Sequence, residues 1–212
     1  MSATQKQRTN GSPASRLRKA DRKRQLLAEA KQLFLRHGYH CTTTERIAAA
    51  AGVSEPVLYR HFDSKKALFL EVLQEIRQAT LERWVAETAA IADPLAKLRA
   101  IAEMYVGSTR QHPVEYRIIH RALLEIEDEE IRTCLRTFYL DGEAILSKII
   151  DQGQRCGVFR RNLDPRIGAW EMIRAGLGYT LTLPLGIPLY QEPDYLTGAI
   201  DCMLQTLLKV DV

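Results

Sequence analysis

Two side chains of the segment SEPVLYRHF, residues 54–62, have the chemistry to read a base edge. The Arg60 guanidinium can fork onto guanine O6 and N7, and the Glu55 carboxylate can accept from cytosine N4. Each has a plainer use. Arg60 is equally suited to a phosphate, and Glu55, in the first turn of a helix, suits the helix dipole better than a base. His37, His40 and Cys41 are metal-ligating types in an H-x-x-H-C run, but no second ligand cluster accompanies them. A structural site needs four organised ligands, so no metal is expected. No cofactor is expected either. The sequence holds no GxSxG, HExxH or GxGxxG, and no GxxxxGK followed by Ser or Thr. The acidic run 125–130 reads as a solvated corner between helices. The chain offers no catalytic constellation and is not expected to be an enzyme.

Charge points the basic groups toward a polyanion. The 212 residues carry 30 Lys and Arg against 26 Asp and Glu, a net charge of +4. Residues 1–70 hold 14 of the basic and 5 of the acidic residues, which leaves the remainder acidic. A basic amino-terminal third on an acidic body presents one end to nucleic acid. Residues 1–24 alone hold Lys6, Arg8, Arg16, Arg18, Lys19, Arg22, Lys23 and Arg24 against Asp21. Residues 1–14 read as a solvated tail; from Arg16 onward a contact with the DNA backbone is comparably plausible. The four cysteines, Cys41, Cys134, Cys156 and Cys202, form no CxxC pair, as expected of reduced thiols in the cytoplasm. No signal peptide is read at the amino terminus. The uncharged stretch 175–191 is short and broken by Pro184 and Pro188, so no membrane span and no membrane partner are expected.

The elements that must position these groups are helices. Leu26, Leu27, Ala30, Leu33 and Phe34 form an apolar stripe in a first helix over 18–37, with Gly38 where a C-terminal cap belongs. Thr42 and Glu45 have capping-box spacing and open a second helix over 43–51. Gly52, Val53 and Ser54 form a tight turn, with Val53 as a buried plug and Ser54 capping a third helix over 55–62. Asp63 and Ser64 cap a fourth. Further starts stand at Asp93-Pro94, His112-Pro113, Asp128 or Glu129, Asp164-Pro165 and Pro193-Asp194, the last helix running to Lys209. The expectation is an all-α chain of about nine helices: a basic tail (1–17), a three-helix DNA-binding domain (18–64) and a helical carboxy-terminal domain (65–212). Helix, short glycine turn, helix is the helix-turn-helix spacing, whose second helix enters the major groove.

The run LLAEAKQLFLRHGYHCTTTERIAAAAGVSEPVLYRHFDSKKALFLEVL resembles the amino-terminal domain of the tetracycline-repressor (TetR) family of transcriptional regulators. The segment GVFRRNLDPRIGAW is also similar to many members. The resemblance implies a homodimer that binds a palindromic double-stranded DNA operator and is released by a small effector, most simply as a repressor. It also implies residue roles. Tyr59 corresponds to a tyrosine whose hydroxyl contacts a phosphate, and Lys65 to a lysine at the start of the fourth helix, where charge and helix terminus both favour phosphate. Thr43 and Thr44 match hydroxyl positions on the DNA backbone. Ser54, Glu55, Pro56, Val57, Arg60 and His61 complete the expected DNA-facing set. A helical interaction protein that kept the fold without operator binding is the alternative.

In the carboxy-terminal domain, Trp84, Met104, Tyr105, Tyr116, His120, Phe138, Trp170 and Arg174 are candidates to line an apolar cavity for a small apolar or aromatic effector. Any single one of them is better read as a core residue. Trp170, Ile173, Leu177 and Leu181 recur at helical spacing, as do Leu196, Ile200, Met203, Leu204 and Leu207. Such strips are ordinarily core; the resemblance implies that they pair with their twins in a four-helix dimer interface.

Overall fold

Most helix starts in this chain are marked by a short polar side chain, and the computed structural model shows which of these cap. It describes the backbone of residues 13–111 and 114–208 and the side chains of 19–107 and 116–208. Nine α-helices lie among the described residues, and no β-sheet; the fold is all-α. Two compact units divide the chain, residues 1–71 and 72–212.

The first unit is built from α1 (Pro13–Cys41), α2 (Thr44–Ala50), α3 (Glu55–Tyr59) and the opening turns of α4 (Lys65–Thr88). α1 begins within the expected tail, at Pro13, a residue that the first turn of a helix tolerates because its missing N–H has no partner there. Residues 1–12 of that tail lie outside the described residues. Regular helix geometry stops at Gly38, whose φ of 77° is open to glycine at little cost. The α2 cap is one residue later than its spacing suggested. Thr43 Oγ1 accepts from the Arg46 N–H at 3.2 Å, while Thr42 is buried and donates back to the carbonyl of Gly38 at 2.7 Å. Burial decides between the two threonines: Thr42 closes α1 and Thr43 opens α2.

Gly52 (φ 64°) follows α2, its N–H bonded to the Ala49 carbonyl at 3.0 Å, with the Val53 N–H on the Ala48 carbonyl at 2.9 Å. These two bonds satisfy the last α2 carbonyls and turn the chain into α3. Val53 is only half-buried, so the plug at this turn is instead supplied by Ala48, Ala51 and Leu58, all buried. Ser54 makes no side-chain cap; its backbone carbonyl takes the Val57 N–H at 2.9 Å. Ser64 does cap, accepting from the Ala67 N–H at 3.0 Å. Phe34 meets Phe69 edge-on at 4.9 Å, which seats α1 against the start of α4.

The second unit contains the rest of α4 with α5 (Pro94–Gln111), α6 (Val114–Ala122), α7 (Glu129–Arg155), α8 (Pro165–Thr182) and α9 (Tyr195–Gln205). Asp93, Asp128 and Asp164 cap α5, α7 and α8 through their carboxylates. His112 and Pro113, the expected opener of α6, lie outside the described residues. α9 ends at Gln205, short of the expected 209; Leu208 then pairs with Phe159 in an isolated antiparallel bridge. The core gathers Trp84, Leu98, Ile101, Leu146, Ile150 and Phe159 with Ile200, Leu204 and Leu207. α7 and α8 share the broadest helix contact. Arg99 pairs with Asp201 between α5 and α9, and Arg77 Nε reaches Asp141 at 2.7 Å between α4 and α7.

Candidate nucleic-acid interface and effector cavity

In the first unit the turn at Gly52 sets α3 beside α2, and polar side chains link them. Thr44 Oγ1 donates to Glu55 Oε1 at 2.5 Å and lies 3.3 Å from the Tyr59 hydroxyl. Thr44 is therefore buried between the helices, and the hydroxyl expected on the DNA backbone is turned to α3 instead. Glu55 is occupied by this bond. Thr43, Ser54, Pro56, Tyr59 and Arg60 are exposed, with Val57 and His61 half-buried, so most of the expected DNA-facing set shares the accessible part of this motif. Tyr59 is 47% exposed, far more than a core aromatic.

Lys65 has a second role. Its Nζ donates to the Tyr39 carbonyl at 3.0 Å and sits 4.4 Å above the Tyr39 ring, tying α4 to the end of α1. An ammonium has three protons, so the bond to Tyr39 leaves donors for a phosphate.

Sequence reasoning passed over two further residues here. Arg46 is exposed on α2, with its guanidinium on the Cys41 carbonyl at 3.3 Å and on His37 Nε2 at 3.1 Å. Gln25 Nε2 donates to the Ala51 carbonyl at 3.1 Å and holds α1 to the end of α2. Neither belongs to a base-reading pattern. Lys23 meets Glu71 at 2.6 Å and lies over the Phe62 ring at 5.4 Å, bringing the first half of α1 beside the end of α3. Burial lowers the His61 pKa most, and Lys19, Lys23, Arg22 and Arg60 lower it further by repulsion. Those cations therefore share one neighbourhood. His37, His40 and Cys41 form no group able to hold a metal ion among the described residues.

The second unit encloses a cavity of ≈340 Å³. Of the expected lining residues, Trp84, Tyr105, Tyr116, His120 and Phe138 are there. Met104, Trp170 and Arg174 are not. Met104 packs against the core, Trp170 faces Tyr139 at 6.4 Å, and Arg174 is exposed and paired with Glu171 one turn away. Met104 and Trp170 thus reach other parts of the interior, whereas Arg174 faces outward.

The residues assigned to a dimer interface also divide differently. Ile173, Leu177, Leu196, Ile200 and Met203 line the cavity, while Leu204 and Leu207 are buried in the core of the single chain. Leu181 remains exposed on α8. Tyr139, Tyr179, Tyr190 and Tyr195 complete an aromatic wall that the sequence reading missed. Tyr190 is stacked between Tyr179 and Tyr195, with centroids at 5.5 and 4.9 Å. Among the described residues, no Asp, Glu, Lys or Arg side chain lines the cavity. Burial pushes Tyr105 up to about 12 and lowers the His120 pKa, so both are neutral near pH 7.

Residues 26–72 match the sequence profile of the bacterial regulatory proteins of the tetR family, and this stretch contains the helix-turn-helix just described. This stretch is a tetR-type amino-terminal domain. Among curated tetR-like relatives, the HTH-type transcriptional activator FasR of Mycolicibacterium smegmatis is 36% identical over 105 residues, 50% of this chain and 48% of FasR. The chain thus spans about half the length of the curated relative it matches. A transcriptional regulator from Saccharomonospora viridis, solved with choline, shares the fold at a TM-score of 0.78 and 23% identity, covering 90% of this chain and 100% of that one. AibR, solved with isovaleryl coenzyme A and operator DNA, aligns at a TM-score of 0.64 and 23% identity, covering 88% of this chain and 98% of AibR. At these identities the solved structures speak for the tetR-like fold alone. No helix among the described residues is long and apolar enough to cross a membrane.

Proposed function

We propose that this chain is a tetR-family transcriptional regulator that binds a palindromic operator as a homodimer and is released by a small apolar or aromatic effector. The reading rests chiefly on the exposed row Thr43, Pro56, Tyr59 and Arg60 on a helix-turn-helix that lies within the family match. In it α3 of each copy enters the major groove and Arg60 reads a base edge or a phosphate. Tyr59 and Lys65 hold phosphates, and Thr43 touches the backbone. α8 and α9 carry the dimer contact, with Leu181 in it, and the cavity of the second unit takes the effector. Catalysis has no place in this reading.

The test begins with fragments selected from genomic DNA by the protein itself. Tyr59→Phe and Lys65→Ala should weaken binding to all sequences alike, and Lys65→Ala should reduce the salt slope by about one. Arg60→Ala should relax preference at one base position, by roughly 1–3 kcal/mol if the contact is bidentate. A uniform loss would move Arg60 to the phosphate set. If no fragment is selected at all, the interaction-protein alternative takes over. A compound that is the effector must weaken DNA binding by the same factor by which DNA weakens its own binding.

A further inference from the structure

Behind the cavity wall three helices meet at one hydroxyl. Thr180 Oγ1, buried on α8, lies 3.2 Å from the Tyr105 hydroxyl of α5 and 3.1 Å from His120 Nε2 of α6. It also lies 3.0 Å from the Gly176 carbonyl and 3.1 Å from that of Leu177. A threonine hydroxyl has one proton and two lone pairs, and a carbonyl only accepts. The Thr180 proton therefore goes to its own helix, the usual habit of threonine inside a helix. The contacts with Tyr105 and His120 must then be made by their protons. That fixes Tyr105 as donor to Thr180 and His120 as the Nε2–H tautomer. Both residues line the cavity, and what each has left is an acceptor: the Tyr105 oxygen and His120 Nδ1.

Three other polar groups of the wall do not compete. The Trp84 indole nitrogen and the Tyr139 hydroxyl are sealed by their neighbours and make no hydrogen bond, so neither presents itself to the open space. Tyr190 is held by Thr182 at 2.8 Å, at the other aromatic cluster. With no cation among the described lining residues, an anionic ligand would lose its hydration with no countercharge from them.

We infer that the cavity takes an uncharged aromatic compound carrying a hydroxyl or N–H donor, which it presents to Tyr105 and His120. This rests on the cavity being the effector site, and it narrows the effector to phenol-like or aromatic-alcohol chemistry. Carboxylates, acyl thioesters of charged carriers and plain hydrocarbons are discriminated against.

Three probes of one shape test it: 2-naphthol, 2-methoxynaphthalene and 2-naphthoate, titrated into the full chain by calorimetry at pH 7. Naphthol should bind about tenfold tighter than its methyl ether, the worth of one buried hydrogen bond, and at least as far ahead of the naphthoate. Tyr105→Phe should bring naphthol down to the level of the ether and leave the ether unchanged. Equal binding of naphthol and ether by the unaltered chain would overturn the inference, and so would a preference for naphthoate or no binding of any of the three. The wild-type comparison stands even if Tyr105→Phe fails to fold. DNA selection on the same preparation separates the two readings. Fragments selected without naphthol preference refute the ligand class alone; naphthol preference without selected fragments refutes the regulator reading alone.

Discussion

Gly153 lies on α7 where the ring of Phe159 covers it, so closely that a Cβ at this position would stand 2.1 Å from the ring. Phe159 is fully buried and its N–H bonds to the Gly153 carbonyl at 3.2 Å, so the ring has nowhere to retreat. Gly153→Ala should therefore destabilise the second unit by about 1–3 kcal/mol, read as a lower urea midpoint with an unchanged slope. The His120 imidazole makes a separate prediction. Burial holds its pKa below the ordinary 6.5, so between those two values the unfolded chain binds a proton that the folded chain does not. His120 thus contributes stability above pH 6.5 that is lost as the pH falls toward the folded value. Thermal unfolding should occur at a lower temperature at pH 5.5 than at pH 7.5, and His120→Gln should shrink the difference. Arg60 and Tyr59 were legible in the sequence because their neighbours fix a helix end with only one exposed side. Lys65 was half legible: its position at the start of α4 was readable, its bond to a carbonyl 26 residues away was not.

Helix boundaries carried more of the pattern than helix interiors did. Asp93, Asp128 and Asp164 were readable as starts because a carboxylate before an exposed turn has little else to do than accept the free N–H groups. The pair Thr42 and Thr43 was not, since both precede α2 and only burial tells them apart. Thr43→Ala should cost about 1 kcal/mol of stability in the first unit, the usual worth of such a cap. Gly52→Ala should cost about 1–2 kcal/mol for a different reason: a Cβ there meets nothing within 4 Å, so the penalty is entirely that of a left-handed backbone. Chemical denaturation of both variants checks the two values. In α8 and α9 the same leucines at the same spacing serve core and cavity, and periodicity reports only that a face is apolar. That is why spacing did not show that Ile173, Leu177, Leu196, Ile200 and Met203, which the resemblance placed in an interface, line the cavity.

The molecule as a whole carries its charge unevenly, and the first unit shows how this bears on binding. Lys19, Arg22 and Lys23 on α1 act on the same histidine as Arg60, so the positive field of the recognition motif extends past α3. Lys19→Gln with Arg22→Gln should flatten the salt dependence of DNA binding by up to about two counterions while leaving base preference unchanged. An unchanged slope would confine the phosphate contacts to α2, α3 and α4. The bridge between Phe159 and Leu208 sets a timetable. Phe159 is held from the far side by residues 207–208, through the Arg160 N–H on the Leu207 carbonyl at 3.1 Å. The second unit cannot seal its core until that segment has emerged from the ribosome, whereas every contact internal to the first unit is available once 71 residues are out. During synthesis the basic unit is thus free to fold, and to meet polyanions such as ribosomal RNA, while the second unit is still being made.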